Sequence, residues 1–132
     1  MVKTRRPVLA QVMVCVGCCC GRTDKGHPAV PEDWLKAEWK ARKLLPAVHL
    51  SISRCLGPCT ESNVVLVTTP EEQLWLGNLA RRADYAALLA WATDCAHPAA
   101  LAELPRSLRS LALDRYGARP AVATDSVAAA GP

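Results

Sequence analysis

The stretch VLAQVMVCVGCCC, from Val8 to Cys20, joins an apolar run to a cluster of cysteines. The run from Val8 to Val16 is nearly continuous, as in a strand that is buried on both faces of a sheet. Four of the 7 cysteines in the chain lie at positions 15 to 20. The sequence therefore predicts that a first, buried strand ends in a group of thiols.

Helix and strand signals alternate after this strand. Residues 17–30 are rich in glycine, cysteine and charge, which predicts a loop. A helix is predicted from Pro31 to Lys43, because proline suits the first helical position and acids follow it in the first turn. The other predicted elements are strands over 48–53, 63–69 and 73–79, a helix over 84–95 with Asp84 as its N-cap, and a helical piece over 98–115.

This order predicts an α/β protein in which a βαβ unit is followed by a ββα unit, giving a mixed sheet flanked by helices. It is the order of a minimal thioredoxin-like fold. With 132 residues that are 51% hydrophobic, the chain has the size and core of one domain. We expect this domain over 1–97, a C-terminal helical extension over 98–116, and a disordered tail over 117–132, where little can be buried.

The predicted topology gathers cysteines that are distant in sequence. The first two strands of a βαβ unit are parallel, so their carboxyl ends lie at one edge of the sheet. Cys15 ends the first strand and Cys55 follows the second, so we expect these two thiols side by side. Cys95 is expected to be buried on the last helix of the domain. The loops bring four more thiols to the shared edge: Cys18, Cys19, Cys20 and Cys59.

Three kinds of site are compatible with these thiols. A tetrahedral zinc site matches the C-x2-C spacing of Cys15 and Cys18, but three residues separate Cys55 from Cys59. A thiol-redox pair would use Cys15 and Cys18 alone and would leave Cys55 and Cys59 without a role. An iron–sulfur cluster needs four thiolates around a larger core and tolerates longer spacings.

The complete spacing resembles that of one family. A C-x4-C motif (Cys15, Cys20), 34 intervening residues and a C-x3-C motif (Cys55, Cys59) are similar to the pattern of the thioredoxin-like 2Fe–2S ferredoxins. Written out more fully, the two motifs are C-V-G-x-x-C and C-L-G-P-C, and both strengthen the likeness. It covers roughly residues 8 to 95. The small 24-kDa-type subunit of NADH dehydrogenase shares this pattern.

The resemblance implies a ferredoxin, a one-electron carrier rather than an enzyme, that works with a redox partner protein and often forms a homodimer. It implies a single 2Fe–2S cluster that is held by four thiolates, those of Cys15, Cys20, Cys55 and Cys59. In this chain Cys18 and Cys19 are alternatives to Cys20. Residues 18–40 are also similar to stand-alone ferredoxins encoded beside cobalamin-synthesis genes. This similarity implies a role in electron transfer for cobalamin synthesis. The alternatives are a zinc-stabilised structural or adaptor protein and a thiol-redox protein.

The charge pattern does not favour nucleic-acid binding, and the motifs do not favour catalysis. The net charge of +4 is modest and the basic residues are scattered, so no nucleic-acid partner is expected. The sequence offers no nucleophile triad, no paired catalytic acids and no phosphate loop. Arg22, Lys25 and Arg54 flank the expected ligands, where they would stabilise a reduced cluster or act only as solvated loop charges.

The N-terminus imitates a signal peptide, since Lys3, Arg5 and Arg6 precede the apolar run. No A-x-A cleavage site follows, and the run is too short to span a bilayer. We therefore expect a cytoplasmic protein without a membrane partner, in a compartment where thiols stay reduced and clustered cysteines more often bind metal.

Overall fold

A mixed five-stranded sheet lies at the centre of residues 1–117, the part of the chain that the computed structural model describes. The predicted tail, 117–132, lies outside the described residues except for its first glycine. The strands are β1 (Ala10–Cys15), β2 (Val48–Ser53), β3 (Val65–Thr68), β4 (Gln73–Leu76) and β5 (Ala112–Leu113). The α-helices are α1 (Glu32–Ala41), α2 (Arg82–Ala96) and α3 (Arg106–Arg109).

The strands follow the order β2-β1-β3-β4-β5 across the sheet. Strand β1 is parallel to β2 and antiparallel to β3, and the remaining neighbours are antiparallel. Helix α1 joins the parallel pair, and the hairpin of β3 and β4 precedes α2. This is a βαβ unit followed by a ββα unit, so the predicted α/β, thioredoxin-like arrangement is confirmed.

The two faces of the sheet have different surroundings. Val12 and Val14 are fully buried in the main core, together with Leu35 of α1 and Leu88 of α2. Met13, on the opposite face of β1, is only half-buried. The expectation that β1 is buried on both faces is therefore wrong, because both long helices pack on the same side of the sheet.

A second, smaller apolar cluster forms at the carboxyl end of β1. Cys15 packs there with Cys20 and Val64, and Leu56 and Trp75 partly cover them. Side chains alternate along a strand, so Cys15 lies on the same face as Met13, away from the helices. The cysteine loops therefore have a packing cluster of their own.

The segment 98–115 is mostly non-helical, contrary to its prediction as a helical piece. Only Arg106–Arg109 forms an α-helix, and it begins directly after Pro105. Proline lacks an N–H and has a fixed φ, so it suits a helix start and interrupts a helix interior. Strand β5 then pairs with β4, so this segment extends the sheet.

Helix α2 begins two residues earlier than predicted, and Asp84 is its third residue rather than its N-cap. The Asp84 carboxylate accepts hydrogen bonds from the backbone N–H groups of Ala80 and Arg81, both at 3.1 Å, and pairs with the Arg81 guanidinium at 3.0 Å. Burial opposes the charged form, but these donors outweigh it and hold the pKa of Asp84 below its usual value.

Replacing Asp84 with asparagine is expected to lower the free energy of unfolding at pH 7 by about 1–2 kcal/mol, the usual value of a helix cap. A depressed pKa in the folded state contributes stability above the unfolded-state pKa, and that contribution is lost as the pH falls through the folded-state value. The difference between the two proteins in urea unfolding should therefore shrink below about pH 4. Asp94→Asn, at an exposed position of the same helix, is the matched control. An equal loss in both variants would contradict the capping role.

Within residues 1–117, no helix combines the length and the apolar character that crossing a bilayer requires.

Candidate metal centre

The carboxyl ends of β1 and β2 lie together, and the loops that follow them form one narrow recess with a cavity volume of about 10 Å³. The loop after β1 and the loop after β2 both contribute thiols. Five cysteines line the recess: Cys15, Cys19, Cys20, Cys55 and Cys59. The structure therefore brings all four predicted ligands to one place, and adds Cys19.

Neighbouring thiols within the recess contact one another. The sulfur atoms of Cys55 and Cys59 are 3.4 Å apart. Cys15 interacts with Cys20, and Cys59 with Cys19. Cys55 also lies close enough to Cys15 for their charges to interact. The thiols thus form one group spanning both loops.

Two cysteines lie outside this group. Cys18 is exposed and does not line the recess. Its backbone carbonyl accepts a hydrogen bond from Lys25 Nζ at 2.9 Å. Cys95 is fully buried on α2, as expected, and its sulfur accepts the Ala102 N–H at 3.3 Å. The C-x2-C pair of Cys15 and Cys18 is therefore not assembled in one place.

Two thiols of the recess, those of Cys15 and Cys59, are protonated at neutral pH. Burial, followed by a hydrogen bond with Cys20, raises the pKa of Cys15 to about 12. A hydrogen bond with Cys55, followed by desolvation, raises the pKa of Cys59 to about 11. A metal that binds here has to displace protons from the thiols, because thiolates are the ligands.

Three residues that lead into β3 hold both cysteine loops. Cys20 Sγ accepts the Val64 N–H at 3.3 Å and lies 3.5 Å from Ser62 Oγ. The Ser62 hydroxyl donates to the Cys59 carbonyl at 2.8 Å. The Val64 carbonyl accepts the Cys15 N–H at 3.1 Å. We refer to Ser62, Asn63 and Val64 as the β3 lead-in.

Asn63 is the fully buried member of the β3 lead-in. Its side-chain oxygen accepts the Gly21 N–H at 2.9 Å, and its amide donates to the Pro28 carbonyl at 2.8 Å. Gly21 has a φ of +75°, a left-handed conformation that glycine adopts readily. Asn63 therefore fixes the turn directly after Cys20.

Replacing Asn63 with leucine is expected to lower the free energy of unfolding by about 2–4 kcal/mol, because a buried N–H and a buried carbonyl each lose their partner. Urea unfolding of the metal-free protein measures this loss. Gln73→Leu is the control, since Gln73 is exposed and its hydrogen-bond partners are accessible to water. A loss no larger than that of the control would show that the Asn63 contacts do not hold the loop.

Tyr85, on α2, places a polar atom beneath the cysteine cluster. The side chain is 1% exposed, and its hydroxyl has no hydrogen-bond partner among the described residues. Desolvation raises the pKa of this phenol, the neighbouring Asn63 side chain partly offsets that rise, and Cys20 and Cys15 are close enough to contribute to the shift. A buried phenol therefore lies next to Asn63 and the thiol group.

Arginines from three segments lie near residues of the recess. Arg22 forms an ion pair with Asp24 at 2.7 Å, whereas Arg54 is exposed and forms no ion pair within residues 1–117. The Arg115 guanidinium lies over the Trp75 ring, 5.4 Å from its centre, and next to Gly57. Gly57 has a φ of +122°, and a Cβ there would approach Arg115 Nη2 to 2.5 Å. Arg115 was not among the predicted site residues.

The donor set fits a thiolate metal centre in its chemistry. Soft thiolates select iron–sulfur clusters or zinc, and two loops supply at least two thiols each. As they stand, the described residues contain no group of three or more His, Cys, Asp or Glu side chains spaced to hold a metal ion. The thiols are hydrogen-bonded to one another instead, so metal binding requires deprotonation and a local adjustment of the loops.

Comparison with known proteins gives structural likenesses only. The chain matches no protein-family model and no curated protein. It is similar to a solved structure of the wild-type thioredoxin-like [2Fe–2S] ferredoxin from Aquifex aeolicus, with a TM-score of 0.46 and 17% identity over 83% of this chain and 100% of that chain. A second structure of a thioredoxin-like [2Fe–2S] ferredoxin from Aquifex aeolicus has a TM-score of 0.46 and 16% identity, covering 88% of this chain and 99% of that one.

Sequence reasoning located the recess but missed the residues that support it. Ser62 and Asn63 lie at the start of a β-branched run, where a sequence pattern does not distinguish a structural amide from a loop polar residue. The only signal for Asn63 is a polar residue placed two positions before the buried strand β3. Arg115 gives no signal, because it lies in a segment predicted to be helical.

Proposed function

We propose that this protein binds a 2Fe–2S cluster and acts as a one-electron carrier of the ferredoxin type. The observation that supports this most strongly is the convergence of thiols from two loops, distant in sequence, in a single recess. Such a cluster supplies one-electron exchange when bound. The chain's own residues would hold it through Cys15, Cys20, Cys55 and Cys59, and the β3 lead-in would orient the first loop.

Cys20 is a better candidate ligand than its neighbours. It is 2% exposed, lies against Cys15, and receives a backbone N–H from Val64. Backbone donors of this kind stabilise the charge of a thiolate ligand. Cys19 also lines the recess and contacts Cys59, so it is the natural alternative in this loop. Cys18 is turned to solvent and is the weakest candidate.

The position of Cys18 also bears on the competing functions. A zinc knuckle or a thiol-redox pair built on Cys15 and Cys18 needs both sulfur atoms at one site. Of these two cysteines, Cys15 lines the recess and Cys18 does not, which favours the four-thiolate centre that uses Cys55 and Cys59. A structural zinc site built from these same four thiols remains the second candidate, because zinc accepts the same donors.

The proposal extends to the setting of the protein. We place it in the cytoplasm, where its thiols remain reduced, with a redox partner protein and a homodimer as its assembly. Its narrower role would be electron supply to cobalamin synthesis. The location rests on the N-terminal sequence, and the partner, the homodimer and the pathway rest on the sequence resemblance described above.

Anaerobic purification of the full chain tests the proposal. A reddish-brown protein with about two iron atoms and two acid-labile sulfides per chain is expected, with an electron paramagnetic resonance signal after one-electron reduction. A colourless protein with one zinc would support the structural alternative. Purification free of any metal, with no cluster formed on anaerobic incubation with iron and sulfide, would overturn both metal functions.

A further inference from the structure

The outer edge of β2 is unpaired within residues 1–117. Strand β2 is the first strand of the sheet and has β1 as its single strand neighbour among the described residues. The carbonyls of Ala47 and Ser53 accept hydrogen bonds from the β1 side. In a parallel pair, alternate residues direct their backbone groups to the same neighbour, so residues 49 and 51 face β1 as well. The backbone groups of residues 48, 50 and 52 therefore point outwards.

One of these three residues already has partners. The Val48 N–H donates to the Leu44 carbonyl, and the Val48 carbonyl accepts the Trp39 Nε1–H, each at 2.9 Å. The outward N–H and C=O groups of Leu50 and Ile52 have no protein partner within residues 1–117. Four backbone groups are thus free to form a ladder with an added strand.

Cations line both sides of this edge. On the helix side, a groove contains Leu50, Leu45 and three lysines, namely Lys36, Lys40 and Lys43. On the open face of the sheet, a second groove contains Arg6 and His49, and Leu45 borders this groove as well. Among residues 1–117, no acidic residue lines either groove. Within the described residues, Lys36 pairs with Glu32, whereas Lys40, Lys43 and Arg6 form no ion pair.

We propose that the β2 edge docks an extended, acidic segment of a partner protein as an additional strand. Side chains of an added strand alternate between the two faces of the sheet, so acidic residues on either face would meet cations. The apolar surface of Leu45 and Leu50 would take the uncharged side chains. A second copy of this chain fits less well, because its β2 edge would place its own cations against the cations of the first copy, and like charges repel.

The proposal goes beyond electron transfer and does not depend on a bound cluster. Its partner would nevertheless end close to the recess, since β2 stops at Ser53 and Cys55 follows two residues later. Exposed Arg54 lies between them and extends the row of cations towards the thiols.

Fluorescence anisotropy with defined peptides tests the docking surface. The probe is a labelled, end-blocked heptapeptide, Glu-Glu-Val-Glu-Val-Glu-Glu, and the control probe is its lysine counterpart. The full chain is measured both with and without bound metal at about 20 mM salt, where surface charges are weakly screened. We expect the acidic peptide to bind, the lysine peptide not to bind, and the affinity to fall as salt is added.

A matched pair of variants locates the binding. Lys40→Glu should lower the affinity for the acidic peptide about tenfold, because an attractive charge becomes repulsive. Arg106→Glu changes the net charge equally on α3, which packs on α2, and should leave the affinity within about twofold of the wild type. Hydrogen exchange of the segment 48–53 should slow when the peptide binds, since the free N–H groups of Leu50 and Ile52 become bonded.

Two results would overturn the proposal. Lysines beside an edge strand also serve to prevent unwanted strand pairing, and in that role they would give no binding of the acidic peptide. A dimer in which segment 48–53 is already protected would show that a second copy covers the edge. Neither result depends on iron content, so failure of this surface is distinguishable from failure of the proposed electron-carrier function.

Discussion

Cys55→Ser and Cys59→Ser are each expected to reduce iron to below about a tenth of the wild-type content. The loop after β2 contains two cysteines, and both line the recess, so it offers no replacement thiol. Loss of one thiolate leaves the cluster with three protein ligands, and iron–sulfur clusters are held by four. Iron and sulfide analysis of the anaerobically purified variants, together with their visible spectra, measures the effect.

The matched control for these variants is Cys95→Ser. This substitution also removes a thiol, but from the buried face of α2 outside the recess. It should lower the unfolding free energy and leave the iron content of the folded protein unchanged. Cys55 is exposed, so its serine variant should keep the far-ultraviolet circular dichroism of the metal-free chain. A normal cluster in either ligand variant would refute the four-thiolate assignment.

The second large effect is expected at Cys20. Cys20→Ala should remove most of the iron, because this thiol is the one that lies beside Cys15 and receives the Val64 N–H. Any remaining cluster should have a shifted absorption spectrum, with Cys19 as the replacement ligand. Cys19→Ala and Cys18→Ala should retain nearly normal iron and spectra.

The three alanine variants form their own control series, since each removes one thiol from the same loop. Combining Cys19→Ala with Cys20→Ala should remove the residual cluster, because exposed Cys18 does not line the recess. Loss of the cluster in Cys18→Ala with survival in Cys20→Ala would contradict this account. It would make Cys15 and Cys18 the metal pair and favour zinc in a C-x2-C arrangement.

Simple topology was enough to predict that Cys15 and Cys55 meet. Two parallel strands joined by a helix bring their carboxyl ends together, whatever the details of the loops. The choice between Cys18, Cys19 and Cys20 could not be predicted in this way. It depends on the turn after Cys20, which Asn63 fixes from a position 42 residues further along the chain.

The limits of prediction along the rest of the fold have similar causes. Strand β5 has two residues, too few to show an alternating pattern, so its pairing with β4 depends on tertiary contacts. Arg115 reaches the recess only because this short strand extends the sheet. The half-buried state of Met13 was missed because a run of apolar residues does not reveal which face the helices cover.

The face of β1 opposite the helices also offers an attachment point for a spectroscopic reporter. Met13 is half-buried and has the same parity as Cys15, so the two side chains leave the strand on the same side. They are two positions apart along the strand, which places their Cα atoms about 7 Å apart. A nitroxide on a cysteine substituted at position 13 would sense the magnetism of a nearby metal centre, while the helix-side core of Val12 and Val14 stays unchanged.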